Sequence, residues 1–232
     1  QEVSRGLMEA RPSRMFQVLR DCGALARLMP ELDRLWGVPQ RSDHHPEVDT
    51  GVHVMMVVDQ AAREGGSLAV RFAALTHDLG KGETPAHVLP RHIGHEHRSV
   101  ALVETLCRRL RAPTPVLELA RIVAREHGLI HRVTELRPAT VLALIERMDA
   151  FRRPERLDDV IAASRADARG RLGREHEPYP QAEHLRRAFE AAVSLDAGAV
   201  AKAAAARGLA GEGIRQAVHE ARVAALTAVL RP

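Results

Sequence analysis

Aromatic side chains are scarce in this chain: one Trp, one Tyr and four Phe make up 3% of its 232 residues. Large rings therefore cannot carry the core, and Leu, Val and Ala must fill it, which favours helices over sheets. Cysteine is nearly absent as well. Cys22 and Cys107 both fall in segments of helical periodicity, which excludes a disulfide scaffold and reads as two reduced core residues of a cytoplasmic protein. No apolar run approaches the roughly 18 residues that a bilayer crossing requires, and no signal peptide opens the sequence, so no membrane partner is expected. Charge of one sign is missing too. With 34 basic and 30 acidic residues the net charge is +4, which permits a polyanionic partner without demanding one. A solvated arginine-rich surface explains that balance equally well.

What is present centres on residues 68–82. Leu68, Phe72, Leu75 and Leu79 recur at helical spacing, and Gly80 and Gly82 are expected to supply positive-φ positions that end the helix within a turn of His77 and Asp78. An imidazole and a carboxylate on neighbouring residues, beside Lys81, fill a core poorly because each needs a buried partner. As metal ligands the same groups make sense. A second histidine, His53, lies in an apolar run that Asp49 or Thr50 caps. A third element, the apolar helix 140–150, ends on Asp149, an awkward carboxylate unless it meets a cation. Taken singly these residues have plain readings, since a His-Asp dipeptide is common and a histidine among Val and Met is usually hydrogen-bonded core. Together they suggest convergence.

At this point the chain resembles the HD superfamily of metal-dependent phosphohydrolases, whose pattern is H…HD…D, with His53, His77, Asp78 and Asp149 as the matching positions. The segments 71–82, 90–95, 16–25 and 45–53 together resemble the C-terminal half of the bacterial multifunctional CCA protein family, a tRNA nucleotidyltransferase fused to an HD phosphohydrolase. The likeness runs from Glu2 to the last helix. It implies an all-α fold, an HD-domain helical bundle with N-terminal neck-like helices and C-terminal tail helices. Residues 1–48 would be the N-terminal helices, 49–170 the HD domain, and 171–232 a tail that faces tRNA. The family's nucleotidyltransferase head carries a Gly-Ser pair and an Asp-x-Asp motif on a strand, which are missing here. A fragment starting after that head is therefore expected, and it should not add CCA.

The resemblance also implies roles. His53, His77, Asp78 and Asp149 would hold a divalent ion, with Asp149 preferred over its rival Asp167 because superfamily members place the last aspartate on the helix after the His127 helix. Imidazole and carboxylate ligands without thiolate point to Ni, Mn, Co or Mg. Asp78, Lys81, His95 and His127 would be catalytic, and Arg91, His92, Arg169 and Arg171 would touch substrate. The polar stretch 83–94 reads as a lid or substrate wall. His127 is expected at a helix C-terminus, before Gly128, where the dipole would raise its pKa. His44 and His45 read as a solvated loop pair. Arg186, Arg187, Lys202, Arg207 and Arg215 would form a basic face for tRNA, and Gly211-Glu212-Gly213 opens the last helix. Expected substrates are 2',3'-cyclic phosphates, 2'-phosphates and 2'-nucleotides, including those at tRNA 3' ends. A homodimer is compatible. Two alternatives stay open: a tRNA-binding module with an inactive HD site, and an HD-type nucleotide hydrolase.

Overall fold

The computed structural model describes residues 1–43 and 46–230; the pair His44 and His45 lies outside them. The fold is all-α, and among the described residues the only bridge is an isolated one between Pro39 and Asp49. The chain folds as two compact units. The first comprises Gln1–His131 and Asp158–Tyr179, the second Arg132–Leu157 and the chain from Pro180 onward.

In the first unit, α1 (Glu2–Leu7), α2 (Ser13–Asp21), α3 (Leu25–Leu28) and α4 (Pro30–Asp33) precede a loop that leads into α5 (Thr50–Arg63) and α6 (Leu68–Thr76). Gly65 turns the chain between the last two at a φ of 75°, and Ser67 caps α6 by accepting from the Val70 N–H. The helix carries an apolar surface on nearly every side: Val70, Phe72, Ala73, Ala74 and Leu75 are all buried. It packs between α5 and α8 (Thr114–His131), and α7 (His95–Leu110) lies against α8 and the turn that follows α6. Truncating the fully buried Leu75 to alanine would cost about 2–5 kcal/mol. Arg71 is buried for a structural reason. Its guanidinium donates to the carbonyls of Gly66, Leu7 and Glu9 at 2.7, 2.8 and 2.9 Å, tying the end of α1 to the start of α6.

The remaining helices are α9 (Pro138–Arg147), α10 (Glu155–Arg169), α11 (Pro180–Ser194), α12 (Ala197–Ala206) and α13 (Glu212–Leu230). The residues of α10 from Asp158 onward belong to the first unit, where Ala166 packs with Val57, Ala61 and Ala74. In the second unit α13 packs on α9, α11 and α12. Phe151 and Phe189 meet there at 5.8 Å, with the Arg222 guanidinium 4.1 Å from the Phe151 ring centre, a cation–π contact.

Two sequence expectations need correction. Cys22 is exposed, with its thiol on the Leu19 carbonyl, and only Cys107 is core. Gly80 and Gly82 do not take positive φ. The chain leaves α6 through a 3-10 turn, Leu79–Glu83, and Gly80 is required there by crowding. A Cβ on it would lie 2.2 Å from the His95 carbonyl oxygen and 2.6 Å from the Ser99 nitrogen. Its bare N–H donates instead to Ser99 Oγ at 2.8 Å. That close approach brings the start of α7 against the turn.

Candidate metal centre

Five helices and one turn deliver the candidate ligands, all of them residues of the first unit. Asp49 caps α5 by accepting from the Val52 N–H at 2.9 Å, so His53 follows in the first turn with its position set. His77 ends α6 and Asp78 leads into the 3-10 turn. His95 is the first residue of α7, His127 lies within α8, and Asp167 lies near the end of α10.

These side chains form two adjoining groups, His53 with His77 and Asp167, and Asp78 with His95 and His127; within each, ligand atoms lie within 4.8 Å of one another. His53 Nε2 is 3.1 Å from Asp167 Oδ1, and His77 Nε2 is 3.7 Å from Asp167 Oδ2. Asp78 Oδ1 is 3.2 Å from His95 Nε2 and 3.5 Å from His127 Nε2. The groups adjoin through His77 Nε2, 3.2 Å from Asp78 Oδ2.

The ring orientations share one logic. Nδ1 of His77 donates to the Ala74 carbonyl at 2.8 Å, that of His95 to His92 at 2.8 Å, and that of His127 to Val123 at 3.1 Å. His53 Nδ1 lies 2.8 Å from the Glu47 carboxylate. In each ring Nδ1 faces an acceptor, which turns Nε2 toward the carboxylates of the centre. Once its Nε2 is deprotonated, a ring held in this way can ligate a metal.

Burial makes the centre electrostatically demanding. Asp78 and Asp167 are 1% and 4% exposed, and buried carboxylates require compensating cations. Burial pushes both pKa values up, but His77 and Lys81 beside Asp78, and His77 and His131 beside Asp167, overcome it and hold both well below the usual carboxylate range. Burial likewise opposes a charged His77, yet Asp78 and Asp167 carry its pKa up to about 9. Lys81 Nζ lies 2.6 Å from Asp78 Oδ2 and 2.5 Å from Gln40 Oε1. Even so, His77 Nε2 and Asp78 Oδ1 are buried with no hydrogen-bond partner among the described residues. Such atoms cost about 1–3 kcal/mol each. A divalent ion with nitrogen and oxygen ligands fits that donor set.

Within the first unit the structure gathers His53, His77, Asp78, Lys81, His95 and His127. Asp149 follows α9 in a left-handed conformation, φ 59°, and belongs to the second unit. Its carboxylate faces Arg152 and Arg156 at 3.4 and 3.3 Å. Asp167 stands with the histidines instead. His127 is not at a helix end, because α8 continues to His131. The helix dipole therefore does not raise its pKa; burial lowers it. His92 is engaged structurally, with Nδ1 2.8 Å from Thr84 Oγ1 and Nε2 3.0 Å from the Pro39 carbonyl. With Arg98 donating to Gly80, Ile93 and Thr84, this pins the stretch expected to act as a lid. Arg91 is exposed, and Arg169 is engaged by Glu64 and the Glu177 carbonyl. Arg171 reaches the edge of the centre, 3.7 Å from Asp167 Oδ1. Of the basic tail residues, Arg187 donates to the Val229 carbonyl and Arg215 pairs with Glu212.

Sequence reading missed Gln40, Glu47, His131 and Tyr179. His127 and His131 are four apart on one helix, a spacing that puts two imidazoles on one face. That signal was available; the contacts of Gln40 and Glu47 had none.

The HD domain family model matches residues 50–170. A relative titled "Multifunctional CCA protein" from Burkholderia cenocepacia (strain J2315) is 63% identical over 230 residues, 99% of this chain and 55% of the relative. Proteins of the same title from Burkholderia orbicola (strain MC0-3) and Burkholderia pseudomallei (strain K96243) are each 64% identical, over 99% and 97% of this chain and 55% and 54% of theirs. The chain thus spans about half the length of these curated relatives. No helix among the described residues is long and apolar enough to cross a membrane.

Proposed function

The chain belongs to the HD domain family, and from that premise we propose that it is a divalent-metal-dependent phosphohydrolase acting on 2',3'-cyclic phosphates, 2'-phosphates and 2'-nucleotides, linked to the processing or repair of tRNA 3' ends. One observation carries the reading: two buried carboxylates ringed by four imidazoles whose Nε2 atoms face inward. His53, His77 and Asp167, joined by Asp78, would hold an ion, with Ni, Mn, Co and Mg as the candidates. When bound, such an ion lowers the pKa of a water and polarises a phosphoryl oxygen.

The side chains divide the remaining work. Asp78 uses both oxygens, one toward His77 and Lys81 and the other toward His95 and His127, so it can orient its neighbours and accept a proton from an attacking water. His127, whose pKa burial lowers, stays neutral near pH 7 and can relay a proton through its Nε2, 3.3 Å from that of His95. Lys81 and His95 lie where negative charge would build on phosphate oxygens. The tRNA link, a cytoplasmic location and the homodimer belong to the same proposal; the titles of the relatives support the first.

Chelator-stripped protein reloaded with Ni or Mn and assayed on bis-p-nitrophenyl phosphate and 2',3'-cAMP provides the test. Hydrolysis that disappears in His77→Ala and Asp78→Ala is the expected result. A folded, metal-loaded protein that cleaves neither substrate would instead identify a tRNA-binding module.

A further inference from the structure

One imidazole beside the centre is held at both ring nitrogens by side chains the metal reading does not use as a pair: a carboxylate and a tyrosine hydroxyl. His131 Nε2 lies 2.6 Å from Asp167 Oδ2, and its Nδ1 lies 3.2 Å from the Tyr179 hydroxyl. An ionised carboxylate can only accept, so the proton sits on Nε2 and donates to Asp167. Nδ1, on the far side of the ring, is held by the tyrosine hydroxyl. Burial pushes the Tyr179 pKa up, so this hydroxyl keeps its proton. The rings of His53, His77, His95 and His127 have Nδ1 against a carboxylate or a backbone carbonyl and Nε2 turned inward; among these five, only His131 has a side-chain hydroxyl at Nδ1.

We propose that His131, its ring held by the Tyr179 hydroxyl, is a positioning residue that sets the rotation of the Asp167 carboxylate so that Asp167 can meet a divalent cation together with His53 and His77. The proposal rests on the reading of Asp167 as a ligand. It draws on geometry that Asp167 shares with no other carboxylate in the centre. His53 approaches one oxygen at 3.1 Å and His131 the other at 2.6 Å, while Arg171 waits at 3.7 Å on the His53 side. Without the His131 N–H, the carboxylate is free to turn toward Arg171. Partners of this kind behind a ligand typically contribute 10–100-fold to metal affinity.

The experiment is a competition titration of Mn²⁺ against a fluorescent chelator, on the whole chain after stripping, with melting of the metal-free protein followed in parallel. His131→Leu should bind Mn²⁺ about 10–100-fold more weakly, the range for loss of such a partner. His131→Gln places an N–H donor where Nε2 stood, and should stay within about threefold of the parent, well below that range. Tyr179→Phe should fall between them, about three- to tenfold weaker, because the ring loses the hydroxyl that holds it in place. Parent-like affinity in His131→Leu, or an equal loss in His131→Gln and His131→Leu, would overturn the proposal. So would a lowered melting temperature in His131→Leu with unchanged affinity, the mark of a purely structural role. If His131→Leu does not fold, parent-like affinity in Tyr179→Phe overturns it. Asp167→Ala separates the two layers. Unchanged affinity in Asp167→Ala removes the ligand reading itself, whereas lost affinity there with an unaffected His131→Leu removes only the positioning role.

Discussion

His77 and Asp78 are consecutive in the chain, yet they serve different neighbours: His77 Nε2 lies 3.7 Å from Asp167 Oδ2, whereas Asp78 Oδ1 lies 3.2 Å from His95 Nε2. The 3-10 turn after Asp78 makes this division, because it carries Asp78 out of the α6 register and toward the start of α7. The dipeptide is thus a junction between two ligand groups. Replacing either residue should have distinct consequences. Asp78→Ala leaves the buried Lys81 ammonium without its carboxylate, a loss of about 3–5 kcal/mol by the usual cost of breaking a buried pair. The metal-free variant should melt roughly 6–20 °C lower, at about 2–4 °C per kcal/mol for a chain of this size. Calorimetry checks this.

The choice between the two aspartates is sharp. Asp149→Ala removes a partly exposed partner of Arg152 and Arg156 and should leave metal affinity and hydrolysis within about twofold, since exposed pairs contribute under about 1 kcal/mol. Asp167→Ala should abolish metal retention on a desalting column. Metal analysis of the two purified variants decides between them.

Titration of His77 predicts two opposed pH effects. Its pKa rises from 6.5 unfolded to about 9 folded, so the stability contributed by its charge is complete below pH 6.5 and is lost as pH climbs to about 9. The melting temperature of the chelated protein should decline across that window, and the decline should shrink in His77→Asn. Asp78 and Asp167 act in the other direction, contributing above the ordinary carboxylate value of 3.8 and losing that contribution as pH falls through their lowered values. Metal binding must displace the His77 proton, so affinity should rise about tenfold per pH unit below about pH 9 and level off above it.

Gly80→Ala tests the close approach of α7 to the turn. The added methyl would meet backbone atoms of His95 and Ser99 at 2.2 and 2.6 Å, and backbone cannot step aside as a flexible side chain can. Overpacking of this kind costs about 1–3 kcal/mol. Because His95 must shift with it, hydrolysis should drop at least tenfold, even in the fraction that remains folded. Activity equal to the parent would contradict the role given to this contact.

Most of the helices could be read from the sequence because their signals are local. Asp49 capping α5 and the apolar repeat of α6 both depend on residues within a turn or two of one another. The pair His53 and His77 was legible for the same reason, as polar residues out of place in apolar helices. The fourth partner was not. Asp149 and Asp167 each follow an apolar helical stretch, and only the left-handed turn at Asp149 and its two arginines separate them. The extent of α8 was misjudged at Gly128, where the helix continues through the glycine to His131. A glycine inside a helix costs about 1 kcal/mol, which the packing of α8 against α6 and α7 outweighs. Glu47 and Gln40 reach the centre through a loop, and no periodicity reports such contacts.

The most direct measurement is anomalous X-ray scattering at the manganese edge from crystals of the chelator-stripped protein soaked in Mn²⁺. The account predicts a peak among His53 Nε2, His77 Nε2 and the carboxylates of Asp167 and Asp78. A peak beside Asp149, or none in this cluster at saturating Mn²⁺, would contradict it.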